Sequence, residues 1–136
     1  MSRAYRDRGV VLRTHRLGET DRIVILLLEG RGKVRAVAKG VRRPGSRIGA
    51  RLEPFGHVDV ALHEGRTLDV VQQVETVDTN AALRTDDRLH AAASVMVELV
   101  DAVAVEGQRD LPLLRTLRAG LAALVADPGS AEVFVD

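Results

Sequence analysis

The period at which apolar residues recur changes near Asp78, and this change constrains the fold more than any other feature. Before it, apolar and polar residues alternate, as in Val58, Val60 and Leu62, which is typical of strands with one buried face. After it, apolar residues recur every three or four positions, as on one side of a helix. A chain of 136 residues with this pattern predicts a β domain over 1–78 and a helical part over 79–136.

The first 78 residues contain about five short strands. The turn signals between them are Leu17-Gly18-Glu19, Gly30-Arg31-Gly32 and Glu64-Gly65-Arg66. The predicted strands lie at 10–12, 23–28, 34–38, 58–62 and 68–77. Residues 41–51, rich in Gly, Pro, Ser and Arg, predict an exposed loop. Five strands in so short a stretch favour a small closed barrel of the OB or SH3-like kind, between which periodicity does not choose.

Two helices are predicted after the barrel. Thr85 or Asp86 can cap the first, which ends near Gly107, and Asp110 can cap the second, with Pro112 in its first turn. The apolar stripe of the first helix is Leu89, Ala92, Met96, Leu99 and Val103. That of the second is Leu114, Leu117, Leu121 and Leu124, and it is expected to be partly uncovered if no further helices follow. Asp127-Pro128-Gly129 ends this helix, and a third helix is predicted to begin at Ser130.

The charge distribution points to an anionic partner of the β domain. Residues 1–80 carry 15 Lys and Arg against 10 Asp and Glu, whereas residues 81–136 carry 5 against 9. Residues 31–51 hold eight cations and no acid. Arginine prevails there, and its planar fork suits phosphate. The eight are Arg31, Lys33, Arg35, Lys39, Arg42, Arg43, Arg47 and Arg51. A solvated, solubilising face is the simpler alternative.

Aromatic residues are few, which limits base stacking. Tyr5 and Phe55 could each stack on a base, although a single Phe in a barrel is more often part of the core. Binding is therefore expected to be driven by phosphate contacts, sensitive to salt and weak in sequence preference.

Nothing in the sequence indicates an enzyme, a cofactor or a metal site. The four histidines lack zinc-ligand spacing, and the chain contains no cysteine. The segment Gly30-Arg31-Gly32-Lys33 fails the Walker pattern because Leu27 replaces the first glycine and Val34 the Ser or Thr. Without a signal-peptide core, a long apolar run or cysteine, we expect a cytoplasmic protein and no membrane partner.

Several stretches resemble the RecO family of bacterial recombinational repair. They are 5–13 (YRDRGVVLR), 17–24 (LGETDRIV) and 32–43 (GKVRAVAKGVRR), continued by 46–47 (SR) and 49–55 (GARLEPF), within a match over roughly residues 5–77. The arginine-rich composition is typical of actinobacterial members. The resemblance implies an N-terminal OB-fold followed by a helical domain, of which 79–136 would be the first part. Many members continue further, often with a cysteine-rich metal site. Because this chain contains no cysteine, we do not predict that site here.

The resemblance also implies a function and a set of DNA-binding residues. RecO-like proteins bind single- and double-stranded DNA, anneal complementary strands, bind RecR and the single-stranded DNA-binding protein, and help RecA load. Carried over by position, the family's basic strand and loop correspond to Lys33, Arg35, Lys39, Arg42, Arg43, Arg47 and Arg51. The alternatives are an adaptor barrel whose basic loop docks a partner's acidic tail, and an RNA-binding barrel.

Overall fold

Five strands close into a barrel in the computed structural model, which describes residues 3–131. The strands are β1 (Ala4–Leu17), β2 (Asp21–Leu28), β3 (Gly32–Ala38), β4 (His57–His63) and β5 (Asp69–Asp78). Their order around the barrel is β1-β2-β3-β5-β4, and β4 pairs back onto β1. Every pairing is antiparallel except the short parallel contact between β3 and β5. The predicted five-stranded barrel is confirmed.

Strand β1 is far longer than the segment 10–12 predicted from its apolar run. Its first half pairs with β4 and its second half with β2, so it closes the barrel. Gly9 lies where the two pairings overlap, and a Cβ atom there would stand 1.9 Å from the carbonyl oxygen of Leu27. The register then shifts between Val11 and Arg13, which is a β-bulge. Because a bulge inserts one residue, it changes which side chains face outward beyond it.

The barrel interior follows the predicted alternation. Val34, Ala36 and Ala38 point inward from β3, and Val58, Val60 and Leu62 from β4. Val11, Val24, Leu26, Leu28, Val71 and Val74 complete the strand contribution to this core. Small β-branched and aliphatic side chains fill a five-stranded barrel without leaving a channel.

Residues 41–51 are not the fully exposed loop that their composition predicted. Ser46 accepts a hydrogen bond from the Gly49 N–H at 3.2 Å and caps a short helix, α1 (Arg47–Arg51). Val41 and Leu52, on either side, are buried in the barrel core. The composition of this segment reflects its many exposed polar residues. Its path is set by Val41 and Leu52, which anchor it in the barrel core.

The helical part consists of α2 (Ala82–Thr85), α3 (Asp87–Val103) and α4 (Leu111–Ala126), followed by a 3₁₀ turn, Pro128–Ala131. The carboxylate of Asp86 caps α3 by accepting from two backbone N–H groups, and that of Asp110 caps α4. Helix α3 ends at Val103, earlier than the predicted end near Gly107. The third helix predicted from Ser130 lies almost wholly outside the described residues.

The helices share a second core with the outer surface of the barrel. The leucine stripe of α4 is buried against α3 and against Val10, Leu12, Leu27 and Phe55. The expectation that this stripe is partly uncovered was therefore wrong. The β5 strand ends at Asp78, but the division of the chain into two domains there stays a prediction.

Helix α3 confirms the first part of its predicted stripe, because Leu89 and Ala92 are buried and Met96 is partly buried, but not the last part. Leu99 and Val103 are 63% and 64% exposed, whereas Ala93, Val97 and Val100 are buried. Both sets have helical spacing, because α3 carries apolar residues around more than half of its circumference. Packing of α3 against α4 and the barrel selects the face that is buried.

Within the described part of the chain, no helix combines the length and apolar character needed to cross a membrane.

The two helix faces lead to a prediction about stability. Leu121→Ala removes a side chain that is 1% exposed and should lower the free energy of unfolding by about 2–5 kcal/mol. Leu99→Ala, the matched control on the exposed side of α3, should change it by less than about 0.5 kcal/mol. Urea denaturation followed by circular dichroism measures both, and equal losses would contradict the assignment of the buried face.

Candidate nucleic-acid interface

The loop after β3 is fastened to the turn between β1 and β2. The Oδ1 atom of Asp21 accepts hydrogen bonds from the Gly40 N–H at 2.8 Å and from the Thr20 hydroxyl at 3.1 Å. The Arg42 N–H donates to the Thr20 carbonyl at 2.9 Å. Gly40 has a φ of 68°, a conformation that glycine adopts without strain. Residues 39–47, called here the basic loop, are therefore held in one place by the opposite turn.

The electrostatics of this fastening depend on Asp21. The hydrogen bond from the Gly40 N–H lowers the pKa of the Asp21 carboxyl, and the Thr20 hydroxyl and the nearby charges of Lys39 and Arg43 lower it further, against the opposing effect of burial. Asp21 is thus an anion that holds the start of the basic loop through the Gly40 N–H.

The basic loop presents cations that carboxylates do not neutralise. Lys39, Arg43 and Arg47 are exposed, and Arg42 is half-buried with its Nη1 donating to the Gly18 carbonyl at 2.8 Å. Among residues 3–131, none of these four forms an ion pair with a carboxylate. A polyanion can therefore approach them without displacing an internal partner.

Next to the basic loop, the outer surfaces of β1, β2 and β3 form a mixed basic and apolar face. The strand registers align its side chains in three rows across the sheet. We call it the three-strand face. Its first two rows are Arg13, Ile25 and Arg35, and His15, Ile23 and Val37; in the third row Leu17 pairs with Asp21, and Lys39 directly follows the end of β3. Apolar side chains line its centre and cations lie mainly at its edges. OB-fold proteins bind oligonucleotides on the face of β2 and β3 beside the loop that joins β1 to β2.

Lys33 lies at the other end of β3 and serves a different contact. Its ammonium group donates to the carbonyl oxygen of Asp101 at 2.9 Å and to Asp101 Oδ1 at 3.0 Å, and its side chain is only 17% exposed. Asp101 also accepts from Arg13 Nη1 at 3.3 Å. Burial acts to raise the pKa of Asp101, but the contacts with Lys33 and Arg13 outweigh it and lower the pKa. Lys33 therefore links the barrel to α3.

The remaining predicted cations are dispersed. Arg35 is half exposed on the three-strand face, with Glu106 at 3.9 Å from its Nε. Arg51 turns away from the basic loop, and its Nη1 donates to the Val74 carbonyl on β5 at 2.9 Å. The structure therefore brings together Lys39, Arg42, Arg43 and Arg47, places Arg35 nearby, and separates Lys33 and Arg51 from them. Whether any of the seven contacts DNA stays a prediction.

The two aromatic rings in the described residues are already engaged. The guanidinium of Arg31 stacks over the Tyr5 ring at 3.8 Å, and the Tyr5 hydroxyl donates to Asp69 at 2.5 Å. Burial and the contact with Asp69 raise the pKa of Tyr5. Phe55 is 2% exposed and belongs to the core, in agreement with the usual role of a single Phe in a barrel. Phe134 lies outside the described residues.

Sequence reasoning missed Arg13 and His15. An unbroken alternation from Val11 would place both side chains inside the barrel, whereas the bulge turns them onto the three-strand face. The available signal was the implausibility of two polar residues inside a small barrel. Among residues 3–131, no three His, Asp or Glu side chains are grouped so that they could hold a metal ion.

Comparison with known proteins agrees with this architecture. The model of the family described as "Recombination protein O N terminal" matches residues 1–80. This chain belongs to the RecO family. Two curated relatives named DNA repair protein RecO, from Bifidobacterium longum strains DJO10A and NCC 2705, are each 56% identical over 109 residues. Their actinobacterial source agrees with the expectation from the arginine content.

The RecO match covers this chain and its relatives unequally. The aligned residues make up 79% of this chain but 46% of each relative, so the chain spans about half the length of the curated RecO proteins that it matches. The RecO N-terminal family region contains all five strands and the basic loop.

The contrast between two lysines gives a prediction. Lys33→Ala should lower the free energy of unfolding by about 1–3 kcal/mol, because it leaves Asp101 partly buried without its ammonium partner. Lys39→Ala, the matched control, removes an exposed side chain that has no ion pair among the described residues and should change it by less than about 0.5 kcal/mol. Urea denaturation of both variants tests this, and a stable Lys33→Ala variant would show that the link is unimportant.

The fastening of the basic loop predicts a pH dependence. Because the pKa of Asp21 is lowered in the folded chain, its stabilising contacts are complete above the ordinary aspartate pKa and are lost as pH falls through the lowered value. The NMR shift of the Gly40 amide proton should therefore titrate with a midpoint below about 3.9. The transition should vanish in Asp21→Ala and persist in Glu19→Ala. A Gly40 midpoint at or above the ordinary value would refute the fastening.

Proposed function

We propose that this chain binds the sugar-phosphate backbone of DNA and serves as a recombination mediator in DNA repair. The observation that carries the proposal is the basic loop, in which Lys39, Arg42, Arg43 and Arg47 have no carboxylate partner among the described residues. The curated relatives named DNA repair protein RecO support the same role.

The binding surface in this proposal is the basic loop together with the adjoining part of the three-strand face. Arginine and lysine at the loop would neutralise phosphates, and Ile23 and Leu17 would contact the sugars and bases that follow. The face includes few acids, of which Asp21 is already occupied by the Gly40 N–H. Such a surface tolerates many sequences, because phosphate contacts carry no sequence information.

The proposed mechanism requires no covalent chemistry. Neutralising the phosphates of two strands lowers their mutual repulsion, so that complementary strands can meet and pair. The chain would thus act without a nucleotide or cofactor, and not as an enzyme. We extend the proposal to the partners implied by the RecO resemblance, which are RecR, the single-stranded DNA-binding protein and, indirectly, RecA. A cytoplasmic, nucleoid-associated location would follow from these partners.

The test is fluorescence anisotropy of labelled single-stranded DNA across a salt series. For the wild-type chain, the plot of log affinity against log salt should have a slope of about −3 or steeper, since each phosphate contact contributes about −0.7. The double variant Arg43→Glu/Arg47→Glu should bind much more weakly and lose about 0.7 of slope for each lost contact. Annealing of complementary strands should slow in parallel.

The matched control changes the net charge equally at a distance from the loop. Arg88→Glu/Arg115→Glu replaces two exposed arginines on α3 and α4 and should retain most of the affinity. If both double variants weaken binding alike, the effect is one of net charge and the site is wrong. If an acidic peptide binds the loop and DNA does not compete with it, the loop is an adaptor surface for a protein tail.

A further inference from the structure

A cleft between β1 and α3 opens beside the three-strand face. It encloses about 410 Å³, and its walls carry Arg13 and His15 from β1 and His90, Ser94 and Glu98 from α3. Because Arg13 and His15 belong to both the cleft and the three-strand face, a strand lying on that face passes the mouth of the cleft.

The cleft provides two exposed flat rings. Tyr5 is covered by Arg31 and Phe55 is buried, whereas the imidazoles of His15 and His90 are both exposed. Histidine rings serve as stacking platforms for unpaired bases, as Phe, Tyr and Trp do. In a chain so poor in aromatic residues, these two imidazoles are the most exposed rings among residues 3–131.

The His90 ring is held in place before any ligand arrives. It meets the buried Phe55 ring edge to face, with 5.6 Å between the centroids and an angle of 78° between the planes. Phe55 is itself fixed, because its backbone N–H donates to the Val11 carbonyl at 2.9 Å and its carbonyl accepts from the Asn80 side chain at 2.8 Å. A ring anchored in this way loses little conformational entropy when a base stacks on it.

The polar groups of the cleft suit a base better than a phosphate. The Glu98 carboxylate would repel a phosphate group but can accept a hydrogen bond from an exocyclic amine of cytosine or adenine. The Ser94 hydroxyl can donate or accept at the same wall. Phosphates would instead remain outside, near Arg13 and the basic loop.

We propose that the cleft between β1 and α3 is a subsite for one unpaired nucleobase of a single-stranded nucleic acid, stacked by His15 and His90 and contacted through its exocyclic amine by Glu98. This inference rests on the proposed DNA binding and adds a role for bases to it. The faces of a paired base are covered by its stacked neighbours and cannot reach the two imidazoles, so the subsite favours single strands over duplex.

The test compares two labelled oligonucleotides of equal length, one of deoxycytidine and one with abasic sites throughout, by anisotropy with the full chain. The wild-type chain should bind the cytosine strand more tightly. His15→Ala and His90→Ala should each weaken its binding about fivefold or more, in keeping with the loss of one stacked base, and leave the abasic strand unchanged. Unchanged abasic binding also shows that each variant is folded.

Three further variants separate the possible causes. His90→Phe keeps a ring without the imidazole and should bind the cytosine strand like the wild type. His63→Ala, the matched histidine control on the far end of β4, should have no effect. Glu98→Ala should reduce the preference for a cytosine strand over a thymine strand of the same length.

The outcomes distinguish this inference from the proposal on which it depends. If the wild type binds both strands equally, or His90→Ala weakens both alike, the base subsite is refuted while backbone binding stands. If the wild type binds neither strand at low salt, the proposed DNA binding fails, and the subsite fails with it.

Discussion

Closure of the barrel by one long strand is the constraint on which the rest of this structure depends. Strand β1 must pair with β4 and then with β2, so it has to curve through Gly9, where any side chain would collide with the backbone of Leu27. The bulge that follows reverses the inward and outward positions of the second half of the strand. Val10 and Leu12 lie on the outside of the barrel beneath the helices, and the bulge brings Arg13 and His15 to the outside as well.

The same strand geometry sorts the cations into two classes. Near the helices, Asp101 accepts hydrogen bonds from Lys33 and Arg13, and these charges connect the barrel to α3. At the other end of β3, the single carboxylate of Asp21 organises the backbone of the basic loop and leaves its arginines free of carboxylate partners among the described residues. Although the net charge of the chain is only +1, its positive charge is concentrated at one end of the barrel, because most of its acidic residues lie outside the basic loop.

Much of this architecture could be predicted because it depends on local patterns. The alternation in β3 and β4, the caps at Asp86 and Asp110 and the leucine stripe of α4 are all properties of neighbouring residues. The features that were missed depend on distant ones. No local sequence signal predicts the burial of Lys33 against Asp101 or the contact of the Arg51 side chain with β5. The bulge in β1 is defined only by its pairing with β2.

The choice of buried face on α3 shows the same limit. Its sequence offers two apolar stripes of equal spacing, and only contact with α4 and the barrel selects Val97 and Val100 over Leu99 and Val103. The α3 helix in turn supplies one wall of the cleft that begins at Arg13. The position of the candidate site is therefore a consequence of tertiary packing, although its positive charge can be read from the sequence of residues 39–47.

The measurement that tests the central claim most directly is an NMR map of backbone amide shifts during titration with a single-stranded oligonucleotide. The account predicts that the largest changes fall on the basic loop, on the second half of β1 and on the outer positions of β2 and β3. The amides around Arg51 and β5, and those of α4, should move little. Changes concentrated on β5, or on the side of α3 that carries Leu99 and Val103, would contradict this assignment, because DNA would then be bound by a surface other than the basic end of the barrel and the adjoining cleft.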